Sequence, residues 1–151
     1  MPTQGQTSRG YEVEEREQGR VAVLRFLDED LSYYHADSLR RDLRSAVEYR
    51  IRRGSRTILL DLYRVRVIDS GGIGLILSVN NHCAGLDAKF GIARTSSFVR
   101  HVLGIVGAHR HVKLFETLEE AIATLHAPPE TEESAGDPPG ANPDGSDLTA
   151  S

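Results

Sequence analysis

The chain of 151 residues has one cysteine, one methionine and no tryptophan. A lone Cys83 cannot close an internal disulfide, so a reduced, cytoplasmic protein is expected. Long apolar runs are missing too. The longest, Ile73 to Leu77, is far too short to cross a bilayer. No apolar signal segment follows Met1, and Pro2 excludes N-myristoylation, so no membrane contact is expected. Basic excess is also absent: 18 Lys and Arg stand against 22 Asp and Glu, a net charge of −4. Nucleic-acid binders usually carry the opposite balance. What remains is 39% hydrophobic and 26% charged residues, enough apolar mass for one folded domain.

The charge is unevenly spread. Residues 127–151 hold six acidic residues, five of the six prolines and no Lys or Arg. Such a segment cannot bury enough apolar surface to offset its ordering entropy. It is expected to be a disordered acidic tail, and residues 1–10 a flexible lead-in. The folded unit is expected over 11–126, with 16 acidic and 18 basic residues left in 1–126.

Periodicity divides that unit. Tyr11 to Glu17 reads as a polar edge strand and Val21 to Leu27 as a stronger one, with a turn at Gly19 and Arg20. Leu39, Leu43, Ala46, Val47 and Ile51 recur at helical spacing and predict a helix over 36–53, stopped by Gly54. Thr57 to Leu62 is nearly all apolar, as a strand buried on both faces should be. A helix over 71–84 follows, with Ile73, Ile76, Leu77 and Asn80 on one stripe. A strand over 89–93, a helix around Phe98 to Val106, a strand over 112–115 and a last helix complete the chain. Thr117 to Glu120 fits a capping box opening that last helix. Strands alternating with helices after an initial hairpin imply parallel pairing. The expected fold is α/β: a small mixed sheet of four or five strands, an edge hairpin and about four helices.

One loop stands out, Val65-Arg66-Val67-Ile68-Asp69-Ser70-Gly71-Gly72-Ile73-Gly74. It follows the most apolar strand and opens a helix. Asp69 or Ser70 is placed to cap that helix. Three glycines in its first turn each cost about 1 kcal/mol relative to alanine in a helix interior. Two readings fit them. One is a tight strand-to-helix turn with a serine cap. The other is an anion site of bare amides, where a phosphate on Ser70 would be held. Enzymatic glycine loops fail: no Gly-Lys-Ser/Thr follows, Leu77 stands where a dinucleotide fingerprint needs glycine, and Ile68 where a nucleophile elbow does.

Here the chain resembles a known family. Ile58-Leu59-Leu60-Asp61-Leu62, Val67-Ile68-Asp69-Ser70 and Gly72-Ile73-Gly74 look like the STAS domain of bacterial anti-sigma factor antagonists, a likeness spanning about 11–126. Phe98-Val99-Arg100 and Leu118-Glu119-Glu120-Ala121 extend it. The resemblance implies a signalling module of transcription regulation, with no enzymatic activity and no cofactor. It implies Ser70 as a phosphoacceptor for an ATP-dependent anti-sigma factor serine kinase, reset by a phosphoserine phosphatase. The unphosphorylated form would bind that kinase and release a sigma factor. Asp69, Gly71, Gly72 and Ile73 would meet the partner, with Ile73 as an apolar anchor. The family's acidic residue in the loop after the second strand aligns with Ser32, so Asp30, or its neighbours Asp28 and Glu29, would substitute. The resemblance leaves a monomer or weak dimer as the expected state. Two alternatives stand beside it: a STAS scaffold or sensor subunit of a larger signalling complex, and a small serine hydrolase using Ser70.

Other residues have plainer readings. His101, His109 and His111 lack ligand spacing for a metal and read as surface or partly buried residues. Cys83 reads as a small core residue. Arg40, Arg41, Arg44, Arg50, Arg52 and Arg53 make a basic helix face, either solvated or paired with the acidic tail or an acidic partner. Tyr33, Tyr34 and His35 read equally as neighbours of the loop or as packing at the helix start.

Overall fold

The computed structural model describes residues 10–126. The expected lead-in, apart from Gly10, and the expected acidic tail lie outside the described residues. Strand β1 (Tyr11–Arg16) returns through a 3-10 turn (Glu17–Gly19) into β2 (Val21–Phe26). That turn starts two residues before the expected Gly19, because Glu17 and Gln18 already take positive φ, 54° and 58°. After β3 (Asp30–Leu31) comes helix α1 (Tyr33–Arg52), then β4 (Thr57–Asp61), β5 (Val67–Ile68) and α2 (Ser70–Gly85). The chain continues with β6 (Lys89–Ala93), α3 (Ser97–Ile105), β7 (Lys113–Phe115) and α4 (Leu118–Leu125).

The main sheet has five strands in the order β1-β2-β4-β6-β7. Only β1 runs antiparallel to its neighbour. The mixed sheet with an edge hairpin and four helices is therefore the fold the sequence implied. Each hydrophobic pattern explains its place. β4 is buried along its whole length, with β2 on one side and β6 on the other. One face of the sheet carries Ala22, Leu24, Ile58, Leu60 and Ile92 into a core closed by Leu43 and Val47 of α1, Ile76 and Cys83 of α2, and Val99 and Leu103 of α3. The other face carries Val21, Val23, Leu59 and Ala93 against Ala121, Ile122 and Leu125 of α4.

Several boundaries differ for local reasons. Helix α1 begins at Tyr33, three residues before the apolar period is visible, with Ser32 at its N-cap position. It ends as expected at Gly54, whose φ of +115° is strained for any other residue. The buried stripe of α2 runs through Gly72, Leu75, Ile76, Val79 and Cys83, so Asn80 and Leu77 sit at its margin rather than on it. The Thr117 hydroxyl accepts from the Glu120 amide at 3.0 Å. Glu120 reaches back to the Glu116 amide at 3.2 Å, one residue earlier than in the usual box.

A second sheet escaped the sequence reading. β3 and β5 are two residues each and pair in parallel, Asp30 with Val67 and Leu31 with Ile68. The Glu29 carbonyl extends the pairing by accepting from the Arg66 and Val67 amides at 2.7 and 3.0 Å. This ladder ties the loop before α1 to the loop before α2.

Candidate functional site

The β3–β5 ladder delivers the two helix N-cap residues, Ser32 and Asp69, from neighbouring strands. Of the two, only Asp69 caps with its side chain. Its Oδ1 accepts from the Gly71 amide at 2.9 Å and the Gly72 amide at 3.2 Å. Ser32 makes no side-chain capping bond. Because Asp69 takes that role, Ser70 becomes the first residue of α2 and its side chain is exposed.

The glycines separate once the packing is known. A Cβ on Gly72 would lie 2.1 Å from the Leu31 carbonyl oxygen and 2.8 Å from Ile68 Cγ1. Only glycine lets α2 start this close to the ladder. Its missing side chain thus serves an internal contact, and Gly72 itself is buried. A Cβ on Gly74 would meet nothing nearer than Arg40 Nη2 at 3.9 Å. Ile73 is only 8% exposed and packs in the core. Its side chain points inward, so it shapes the site from below and offers no apolar anchor on the surface. Asp69, Ser70 and half-buried Gly71 form the outer edge. Asp30 is half-buried in β3 and Ser32 half-buried beside it, while Asp28 and Glu29 are exposed. Nor are the amides of the first turn bare. The anion site that one of the two readings placed there is filled by the chain's own Asp69 carboxylate.

A buried ionic cluster stands at the C-terminal ends of the parallel strands. Asp61, wholly inaccessible at the end of β4, accepts from Arg25 Nε at 2.8 Å. It also accepts from Arg94 Nε at 3.1 Å, Arg94 Nη2 at 2.7 Å and the Tyr63 amide at 3.1 Å. Arg25 reaches on to Glu14 at 2.8 Å. Burial alone would push the Asp61 carboxyl up. The bonds from Arg94, Arg25 and the Tyr63 amide outweigh it and hold the group below the usual carboxylate range. The Arg94 guanidinium lies over the Tyr63 ring at 4.6 Å, and its backbone takes a φ of 66°. Sequence reasoning left these residues out of the site. A charged residue inside the run Thr57 to Leu62 was the available signal, since a buried carboxylate needs partners.

The remaining candidates fall where their chemistry suggests. Cys83 is buried in the core, and burial pushes its thiol up to about 12, far from a reactive thiolate. His101, His109 and His111 are exposed. On α1, Arg50 bridges to Glu15 of β1 and Arg52 pairs with Glu48, while Arg40, Arg41 and Arg44 are exposed. Tyr33, Tyr34 and His35 form the first turn of that helix.

Comparison with known proteins now carries the assignment. The model of the STAS domain family matches residues 12–121, and the chain belongs to that family. A Thermotoga neapolitana protein assigned as an anti-sigma factor antagonist, a homologue of TM1081, is 31% identical over 72 residues. The match covers 48% of this chain and 64% of that protein, so it spans less than two thirds of the relative. The anti-sigma factor antagonist SpoIIAA in its unphosphorylated form superposes with a TM-score of 0.60 at 23% identity, covering 78% of this chain and 97% of that one. SLC26A9 contains the same fold, with a TM-score of 0.59 at 13% identity, over 76% of this chain and 21% of its own. Among the described residues, no helix is long and apolar enough to cross a membrane.

Proposed function

We propose that this STAS domain is an anti-sigma factor antagonist, a binding module rather than an enzyme, switched by phosphorylation at Ser70. Its partner is an ATP-dependent anti-sigma factor serine kinase. The observation that carries the reading is Ser70 itself, exposed at the first position of α2 while Asp69 does the capping. A kinase can reach such a hydroxyl without opening the fold.

In this mechanism the unmodified edge, Asp69, Ser70 and Gly71, docks on the kinase near its nucleotide, with Asp30 and Ser32 alongside. Gly72 and Ile73 hold the edge in place from beneath. Docking displaces the sigma factor. The kinase then moves the terminal phosphoryl group of ATP onto Ser70 Oγ, leaving ADP and releasing the hydroxyl proton to a base. A phosphoserine phosphatase reverses the step by hydrolysis.

The modification adds roughly 1.5 to 2 negative charges beside the Asp69 carboxylate. The amides of Gly71 and Gly72 are already engaged, so they are poorly placed to absorb that charge. In an interface shaped for a neutral hydroxyl it would be buried unpaired, at a typical cost of about 2–5 kcal/mol. At about 1.4 kcal/mol per tenfold, binding weakens roughly 30-fold to several-thousand-fold. Incubation with the cognate kinase and ATP, followed by phosphosite mapping, should place the phosphate on Ser70. Ser70→Ala should bind the kinase constitutively and Ser70→Asp poorly. Equal affinity of the two variants would rule the switch out.

A second reading has one observation in its favour. The fold also occurs as a minor part of a much larger chain, SLC26A9. As a scaffold or sensor subunit the protein would run in a large assembly on native size-exclusion chromatography, not as a monomer or weak dimer.

A further inference from the structure

A cleft of about 380 Å³ lies between the β4–β5 connection and the start of α3. Arg64, Arg66, Arg94, Thr95 and Ser96 line it, with Tyr63 behind Arg94 and Glu29 also in the lining. Three guanidinium groups thus face one carboxylate. Arg94 is held by Asp61. Arg64 and Arg66 are exposed and make no ion pair among the described residues.

Two further features point to a ligand. Thr95 is 92% buried by its 8% exposure, and its Oγ1 has no hydrogen-bond partner among the described residues. A buried hydroxyl left so is costly unless something completes it. Helix α3, nine residues long, also begins at this wall. The Ser96 hydroxyl takes the Val99 amide at 3.2 Å, and the amides of Ser97 and Phe98 have no acceptor among the described residues. In contrast to α2, no carboxylate among the described residues fills this helix start.

We propose that the cleft is an oxyanion site for inorganic phosphate or the phosphate group of a small phosphomonoester. Arg64 and Arg66 supply charge and paired N–H donors, and the first amides of α3 complete the cradle. Thr95 contributes its unmet hydroxyl. A tetrahedral dianion suits donors converging from separate walls. The site also touches the ladder, because the Arg66 amide bonds to the Glu29 carbonyl at 2.7 Å. Occupancy would therefore brace the strand that leads to Asp69. The inference does not depend on the switch at Ser70.

The test is an NMR titration of the full chain with inorganic phosphate at constant ionic strength, with chloride as control and glycerol phosphate in parallel. Saturable shifts should centre on the amides of Thr95 to Phe98. The double variant Arg64→Gln, Arg66→Gln should weaken binding by about tenfold or more, since charge-assisted bonds are lost. Glu29→Gln should tighten it. Tighter binding of glycerol phosphate than of phosphate assigns an ester ligand, and equal binding assigns the free ion. Absence of saturation, shifts centred elsewhere, or unchanged affinity in a folded double variant overturns the proposal. Should that variant misfold, the shift map of the unaltered chain decides alone.

Discussion

Helices α2 and α3 start in similar places, just beyond parallel strands, and each starts with an oxygen-bearing cap. They use it differently. At α3 the serine is the cap, so the Ser96 hydroxyl is committed to the Val99 amide. At α2 an aspartate is the cap, so the neighbouring serine, Ser70, is left facing solvent. The anchoring differs too. The α2 start is seated by close approach at Gly72, where no side chain fits. The α3 start follows Arg94, which is clamped to the buried Asp61. Availability of a hydroxyl for chemistry is thus decided by which residue one position away satisfies the backbone.

The largest effect should come from breaking the α2 seat. Gly72→Ala places a methyl against the Leu31 carbonyl, and should lose about 3 kcal/mol or more in urea unfolding, at or beyond the usual range for overpacking. Next is the α3 clamp. Asp61→Asn leaves Arg25 and Arg94 without their buried carboxylate. The cost should be about 2–4 kcal/mol, below the full penalty for a broken buried pair because both guanidinium groups keep some contact with water. The same variant carries a pH signature. The Asp61 carboxyl is held below its ordinary value in the folded state. Its contribution is therefore complete above about pH 4, the unfolded value, and is lost as pH falls through the folded one. Thermal unfolding from neutral to acidic pH should show a shallower acid slope in Asp61→Asn.

The caps themselves should give smaller, matched effects. Asp69→Ala and Ser96→Ala should each cost about 1 kcal/mol. Under the proposed switch, only the first should also change the rate of phosphate incorporation at Ser70 by the cognate kinase. The smallest effect has the opposite sign. Gly74→Ala, with open space around its Cβ, should stabilise by up to about 1 kcal/mol in the same urea experiment.

Much of this architecture was legible from residue spacing. Strands β1, β2, β4 and β6 and the four helices announce themselves through apolar period, capping residues and Gly54. The ladder between β3 and β5 did not, because two residues carry no period and their pairing is set by a contact between loops distant in sequence. That omission had a consequence for the site. Without the ladder, Gly72 and Ile73 read as parts of a binding edge. With it, they are the internal seat beneath Asp69, Ser70 and Gly71. Ser70 stood out in the sequence because its loop context is local, and the structure adds its exposure at the first position of α2. Asp61 was hidden inside an apolar strand pattern, and its partners Arg25 and Arg94 lie 36 and 33 residues away along the chain. Thr95 carries no local signal at all, since an unmet hydroxyl is a property of packing.

The short parallel ladder has an implication for anyone who would transplant or redesign this region. It works like a rivet through two flaps of the chain: lengthening either connection by one residue would misregister both helix starts at once. A graft of the Ser70 segment alone would arrive without its other half. Residues 28–32 have to travel with it.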